Sequence, residues 1–426
     1  MSDNRRVVVT GLGVITSNGH GIEEFTSALR NGKSGIRFIS ELQELNFACH
    51  VGGIPLATNE IFSKYFSAEA LLAMNEAMRY AGIASIDAWK DAGLEVPELD
   101  DDNVHWDTGA IIGAGLGGMD TIGNLVVPKV NEKKVKRMGS TAVEQTMGSS
   151  VSAKIGGLLA IGNQLTSNSS ACNTGTEAII DAYYKIKHGY ADKMLAGGVE
   201  GSSPYIWGGF DAMKVLNSSS NDSPEKASRP MSASSGGFIP GSGAGVLYLE
   251  LLESAEKRGA RIYAEIIGGA LNCGGQRMGG SMTAPNSTSV QRCIKTAMGY
   301  AGIKSEDIDY INGHLTGTMA DPREVNNWAK ALDVSPDKFP YINSTKSLIG
   351  HCLGAAGSIE SVGAILQLYN GFIHKSINCE DLHEEIKPYA ASVVQQTIET
   401  DINILAKASF GFGDVNGCLI FKKWKK

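Results

Sequence analysis

The sequence predicts an α/β fold made of two packed halves. Three observations point to it. Between residues 162 and 197 the apolar pattern reads strand, helix, strand, the βαβ unit of an α/β protein. The second half repeats that flavour, with strand-like runs at 263–270 and 308–312 on either side of a helix-like run at 290–301. The 426 residues are also too many for one simple core and enough for two. No stretch of disordered composition separates the halves, so one rigid body is expected.

Taken in order, residues 6–10 form a short apolar run that reads as a buried strand. It leads into Gly11-Leu-Gly-Val-Ile-Thr-Ser-Asn-Gly19, which lacks the spacing of a dinucleotide loop because Thr16 stands where the third glycine should be. Residues 68–81 and 83–92 have helical periodicity, with Gly82 expected to break them into two helices. Residues 109–118 read as a strand and glycine turn, 129–137 as a basic cluster, and 162–167 as a short strand. Ala178, Ile179, Ala182, Tyr183 and Ile186 recur with helical spacing up to Gly189, and a strand begins at Lys193. A Ser-rich connection spans 217–235, and a glycine-rich strip at 236–245 feeds a strand at 246–251. After the runs at 263–270, 290–301 and 308–312 come a short strand at 341–343, a helix at 357–369 and closing strands at 405–410 and 418–421. The second half contains no exact sequence repeat of the first.

Composition narrows the function classes. With 42% hydrophobic and 19% charged residues, the chain is an ordinary globular protein. A net charge of −7 argues against nucleic acid as a partner. Seven cysteines, an odd number without a C-x-x-C pair, fit a reduced cytoplasmic thiol set rather than disulfides or zinc. The first residues, Met1-Ser-Asp-Asn-Arg-Arg, lead into a run too short for a secretory core. No run approaches the roughly 18 apolar residues of a membrane span.

The most informative segment is Asn168-Ser-Ser-Ala-Cys-Asn-Thr-Gly-Thr-Glu-Ala178. It places Cys172 between a strand and a helix start. Free N–H groups and the positive end of the dipole favour an anion there, so the thiol is expected to have a lowered pKa and to act as a nucleophile. A small buried core cysteine is the alternative. Three further segments carry polar groups at strand ends, where α/β sites gather. They are Asn312-Gly-His-Leu-Thr-Gly-Thr318, Asn343-Ser-Thr-Lys-Ser-Leu-Ile-Gly-His351 and Ser409-Phe-Gly-Phe-Gly-Asp-Val-Asn-Gly417. Taken singly, each histidine also fits a satisfied core or surface role, and Lys346 a solvated charge. A metal held by Cys172, His314 and His351 would lack carboxylate companions and the usual local ligand spacing, so no metal is expected.

Together these segments closely resemble the β-ketoacyl-acyl carrier protein synthases, the decarboxylating condensing enzymes of fatty-acid and polyketide assembly. The resemblance covers nearly the whole chain, from Val8-Val-Thr-Gly-Leu-Gly-Val-Ile-Thr16 to Asn416-Gly-Cys-Leu-Ile-Phe421. It includes Pro224-Glu-Lys-Ala-Ser-Arg-Pro230, Gly241-Ser-Gly-Ala-Gly-Val246 and Gly350-His-Cys-Leu-Gly-Ala-Ala-Gly357. The run Asn370-Gly-Phe-Ile-His-Lys-Ser-Ile-Asn378 leans toward the elongating type I and II groups. The second histidine, His351, separates the chain from the initiating type III group, which carries Asn there.

The resemblance implies a thiolase-like fold: two similar halves, residues 1–253 and 254–426, in a five-layer α-β-α-β-α arrangement, usually as a homodimer. It implies that Cys172 takes the acyl chain from its carrier and that His314 and His351 bind the thioester carbonyl of malonyl carrier protein. Lys346 resembles the lysine that orders the second histidine, and Glu360 a buried structural glutamate. Thr316 and Thr318 resemble the threonines that hold the pantetheine arm. Phe412 resembles a gating phenylalanine whose N–H, with that of Cys172, would form an oxyanion hole. No cofactor is implied. The partner implied is an acyl carrier protein, which is acidic, docking on a basic patch of Lys129, Lys133, Lys134, Lys136 and Arg137. The chain departs from the family pattern at Leu315, where Gly is usual, and at Met319-Ala-Asp-Pro322, one residue shorter than usual. It departs again at Asp414 and Val415, where Gly and Thr are usual; Leu315 and Asp414 are expected to alter the pocket wall and the freedom of the gate. Two other readings stand beside this one. A thiolase would want a second catalytic cysteine near the C-terminus, where only Cys418 lies. A non-catalytic chain-length partner of a ketosynthase would lack the nucleophile.

Overall fold

Each half of the chain lays down the same series of elements. The computed structural model describes residues 5–98 and 101–425; residues 1–4, the start of the segment judged too short for a secretory core, lie outside them. The first series is β1 (Val7–Thr16), α1 (Glu76–Asp91), β2 (Thr108–Ala114), α2 (Ser150–Leu158), β3 (Leu165–Thr166), α3 (Thr174–Lys187), β4 (Lys193–Glu200) and β5 (Gly243–Leu251). The second is β6 (Ala264–Cys273), α4 (Ser287–Ala301), β7 (Tyr310–Asn312), α5 (Asp321–Leu332), β8 (Tyr341–Asn343), α6 (Ala356–Asn370), β9 (Ile404–Gly411) and β10 (Val415–Lys423).

The strands lie in the order β8-β7-β9-β10-β6-β1-β5-β4-β2-β3. Counted within each half, the order from the outer edge to the seam is third, second, fourth, fifth, first. The directions match as well. In both halves the second strand runs parallel to the third and fourth, and the fifth runs antiparallel to the fourth and first. The seam is β1 on β6, antiparallel, with Val7 opposite Ile266 and Val9 opposite Ala264. A duplication that no residue-level repeat revealed is therefore plain in the topology. The expected boundary between 253 and 254 falls inside the short helix Leu252–Lys257, which links the two series.

Helices fill the layers. α1 and α2 cover the outer face of the first five strands, and α4 covers that of the second five with α5 packed against it. α3 and α6 pack on each other between the two strand sets. α6 is apolar almost all round, as a helix buried on every side must be, whereas α3 keeps a partly exposed stripe of Glu177, Asp181 and Lys185. Every described α6 residue up to Leu368 is buried. Their crossing is close: a Cβ added at Gly175 would stand 2.6 Å from the Ser358 nitrogen. The result is five layers, helix-sheet-helix-sheet-helix.

Two expectations fail at glycines. The first strand does not stop at residue 10 but continues to Thr16, because Gly11 and Gly13 serve packing rather than turning. A Cβ at Gly11 would lie 2.1 Å from the Ala88 oxygen, and one at Gly13 1.9 Å from that of Ala84. Gly82 likewise does not break a helix. It sits inside α1, where a Cβ would meet the Phe66 ring at 2.7 Å. The break comes earlier: Ala68–Leu72 is a separate turn, and Asn75 caps α1 by accepting the Met78 N–H at 2.9 Å.

Candidate active site

The site forms where three strand ends and the starts of both middle helices converge. After β3 the chain turns through Ala171, at φ +51°, into a single 3₁₀ turn, Ala171–Asn173, that opens α3. Thr174 holds the turn: its Oγ1 accepts from the Ser170 N–H and donates to the Ala171 carbonyl. Cys172 thus sits at a helix start, as the sequence indicated. At the equivalent place after β8 the chain passes His351 and Leu353, at φ +47°, into the 3₁₀ turn Leu353–Ala355 that opens α6. The topological repeat therefore brings Cys172 and His351 face to face at the starts of the two middle helices. A buried carboxylate ties the second turn to the loop after β2. Glu200, at the end of β4, accepts N–H groups of Gly115, Leu116 and Gly354. Burial pushes its pKa up to about 7, against those three bonds.

His314 follows β7. Two carboxylates at the start of α5 hold its loop: Glu324 accepts from the N–H groups of His314 and Leu315 at 2.7 and 2.8 Å, and Asp321 from those of Thr316 and Gly317. Burial, reinforced by Asp321, pushes Glu324 up to about 7.

Cys172, His314 and His351 come together. His351 Nε2 lies 3.1 Å from Cys172 Sγ, and one donor atom from each of the three residues lies within 4.8 Å of the others. The imidazoles meet edge to face, 5.3 Å between centres. All three residues are buried, at 8%, 8% and 3% exposure. They line one cavity of about 420 Å³ with Thr316, Thr318 and Phe412. His351 Nδ1 accepts the Leu353 N–H at 3.2 Å, which puts the proton of the neutral ring on Nε2, facing the sulfur. The donor atoms of the same three side chains are close enough to share one metal ion, but the carboxylates of Glu200 and Glu324 are committed to backbone N–H groups.

The thiol does not have the lowered pKa its helix position suggested. Burial pushes Cys172 up to about 11, while the Lys346 charge and the N–H groups of Phe412 and Cys172 itself pull the other way. Desolvation outweighs the helix end, so the resting group is a neutral thiol. Both imidazoles are held well below the ordinary histidine value, by burial first and then by Lys346 and Lys407.

Lys346 and Glu360 form a buried pair, each 1% exposed. The sequence reading missed a third member. Lys407, on β9 and fully buried, lies 2.8 Å from the other Glu360 oxygen. It was invisible as one polar residue in an apolar closing strand. Asp321 and Glu324 were missed too, although Pro322 with acidic residues around it is a helix-start signal.

The expected effects of Leu315 and Asp414 do not appear at the pocket wall, because neither side chain lines the cavity. Leu315 is buried among the apolar side chains of the second half. Asp414 takes φ +63° and is buried, accepting N–H groups of Gln276 and Asn286 at 3.0 and 2.9 Å. It fastens the Phe412 loop to the segment before α4. Cys418 is buried in β10, away from the cavity, where burial raises its pKa well above the ordinary thiol value. None of the basic cluster lines the cavity. Lys129 and Lys134 both pair with Glu132, at 3.7 and 3.0 Å. Lys133, Lys136 and Arg137 are exposed and make no ion pair among the described residues.

A buried thiol, two neutral imidazoles and a lysine-backed glutamate on a duplicated α/β frame define a thiol acyltransferase of the condensing type. Comparison with known proteins makes the assignment specific. The chain matches the beta-ketoacyl synthase N-terminal domain over residues 4–255 and the C-terminal domain over 263–380. It is 38% identical over 423 residues to the 3-oxoacyl-[acyl-carrier-protein] synthase 1 of Haemophilus influenzae, covering 99% of each protein. A solved beta-ketoacyl synthase from Burkholderia phymatum superimposes with a TM-score of 0.90 at 26% identity, over 99% of this chain and 100% of that one. So does AntDE:AntF, described as a type II PKS acyl-carrier protein in complex with its ketosynthase bound to the hexaketide (TM-score 0.86, 27% identity, the same coverage). The chain belongs to the beta-ketoacyl synthase family.

Proposed function

We propose that this protein is a 3-oxoacyl-[acyl-carrier-protein] synthase that condenses malonyl carrier protein with an acyl group held on Cys172, in fatty-acid or related polyketide and polyene assembly. The observation that carries the reading is the 3.1 Å approach of His351 Nε2 to Cys172 Sγ at the start of α3, with His314 beside them.

The chemistry runs in two stages. Cys172 attacks the thioester of the acyl carrier protein, the sulfur–acyl bond moves to Cys172, and the proton lost by the thiol equals the one gained by the departing pantetheine thiol. The N–H groups of Phe412 and Cys172 receive the oxyanion of the tetrahedral intermediate. Malonyl carrier protein then enters, its arm against Thr316 and Thr318, whose hydroxyls stand 3.0 Å apart on the cavity wall. The bond to the carboxylate breaks and carbon dioxide leaves. The electron pair stays on the α-carbon and spreads to the thioester oxygen, which accepts from the His314 and His351 N–H groups. The carbon attacks the Cys172 thioester, the new carbon–carbon bond replaces the sulfur–acyl bond, and the sulfur leaves as a thiolate that takes one proton from solvent to return to the thiol. Lys346 and Glu360 act behind the histidines.

A catalytically silent chain-length partner would have no use for a thiol so placed, and a thiolase would need Cys418 at the cavity, where it is not. Seven free thiols suit a reducing, cytoplasmic setting, and among the described residues no helix is long and apolar enough to cross a membrane. We expect a homodimer, which sedimentation would distinguish from a fully active 45.0 kDa monomer. The direct test is intact-mass spectrometry after mixing with acyl carrier protein. The wild type should gain one acyl group, mapped to Cys172, and Cys172→Ala none. An adduct on Cys352 or Cys418 would overturn the assignment.

A further inference from the structure

Beside the strand end that carries His314 lies a buried cluster of three ionisable groups: Lys407 on β9 pairs in register with Asn312, two residues before His314. Glu360 is one carboxylate on α6. Lys346 Nζ bonds one of its oxygens, and Lys407 Nζ lies 2.8 Å from the other. All three residues are at most 1% exposed. Nζ of Lys407 also donates to the Ala408 carbonyl and, at 3.2 Å, to Ser409 Oγ, whose hydroxyl is in turn bonded to Thr176 Oγ1 at 2.7 Å. Three oxygens around one nitrogen suit the three N–H groups of an ammonium; burial lowers the Lys407 pKa from its ordinary value, and the Glu360 carboxylate opposes that shift. Two ammonium groups against one carboxylate leave a surplus of one positive charge in a site without solvent to screen it.

We propose that Lys407 is a second positioning residue for the condensation, supplying the unmatched positive charge that backs His314 and His351 against the negative charge formed when carbon dioxide leaves. The proposal rests on the condensing reaction assigned above. Lys346 with Glu360 makes a neutral pair, so the surplus depends on Lys407. Charge of this kind is fixed before the reaction, needs no reorganisation, and acts most strongly in a dry site.

The surplus also keeps the imidazoles in the state the geometry requires. A cation near a histidine makes a second proton harder to add. For His351 that proton would go on Nδ1, where it would confront the Leu353 N–H and release the ring. The other charged groups facing the pair are few. Glu324 holds the His314 backbone, with Asp321 beside it, and Glu200 holds the turn that carries His351 through Gly354. Both glutamates have pKa values pushed up to about 7, and Cys172 is a neutral thiol, so none of them strongly offsets the lysines at acid pH.

The test measures carbon dioxide release from malonyl carrier protein across pH, for the wild type and for Lys407→Met, Lys407→Gln and Lys407→Arg. In the wild type the acid limb should lie below the ordinary histidine value of about 6.5. Removing one oxyanion donor outright typically costs about 10²–10³ in rate, so loss of Lys407, one step removed, should cost about tenfold or more. In the Met and Gln variants the acid limb should also move up by about a unit, as loss of a neighbouring cation allows. Arg should preserve the position of the limb. Acylation of Cys172, read by mass, should change much less. Full release with an unmoved limb in the Met or Gln variant overturns the proposal, and so does equal loss of acylation and release. If neither variant folds, a wild-type limb at or above 6.5 overturns it alone. A wild type that releases no carbon dioxide would instead sink the condensing reaction itself.

Discussion

One backbone bond sets the chemistry of His351. Because Nδ1 accepts the Leu353 N–H, the neutral ring presents a donor to the sulfur and cannot take the thiol proton there. On the proposed reading the residue stabilises charge on its neighbour, first a thiolate, then an enolate oxygen. His314 has no such bond, its buried Nδ1 having no partner among the described residues, and is oriented by the Glu324 grip on its backbone. His314→Ala and His351→Ala should therefore reduce decarboxylation more than Cys172 acylation, each by about 10²–10³. Unchanged carbon dioxide release in both variants would rule out the shared role. Cys172 teaches a second lesson at this scale. Its place at a helix start was readable from the sequence, but the sign of its pKa shift was not, because desolvation depends on the packing of the second half over it. Lys407 was unreadable for a similar reason. Nothing local distinguishes a buried charged lysine from an edge one until α6 brings Glu360 against β9.

At the scale of elements, what the sequence made legible were runs whose pattern and purpose coincide. The short strand expected at 341–343 and the helix expected at 357–369 match Tyr341–Asn343 and Ala356–Asn370. Glycines misled wherever their use was packing rather than turning, as at Gly11, Gly13 and Gly82. Short-period readings also missed the helices Gly21–Asn31 and Asp321–Leu332; the second hid inside what looked like a loop departing from the family pattern. Asp414 was noticed for the freedom it would remove, and the structure shows how: a left-handed backbone and a buried carboxylate bonded to the segment before α4. Asp414→Gly keeps the backbone conformation while removing the acceptor. It should leave the Gln276 and Asn286 N–H groups unmatched and cost about 1–3 kcal/mol, the usual penalty for an orphaned buried donor. Asp414→Asn, which retains one acceptor, should cost less. Thermal unfolding decides between them, and a Gly variant as stable as the wild type would show that the Phe412 loop is held by its backbone bonds alone.

At the scale of the whole molecule, duplication is what builds the site. In both halves the segment after the third strand leads through a 3₁₀ turn into a middle helix, and because those helices pack together, Cys172 in the first turn meets His351 just before the second. The carrier must still find this buried centre, and the chain it approaches is itself net negative at −7. Docking therefore needs a local basic surface. Within the cluster at 129–137, Lys129 and Lys134 are already engaged with Glu132, which leaves Lys133, Lys136 and Arg137 to face a partner. Charges of this kind mainly speed encounter and are screened over about 8 Å at physiological salt. Replacing these three by Glu should raise the apparent KM for carrier-bound substrate several-fold and flatten its salt dependence, with kcat little changed. A free pantetheine thioester, which needs no docking, should react as before. Equal losses with both substrates would point to damage at the cavity, and no loss with either would move the docking surface elsewhere on the protein.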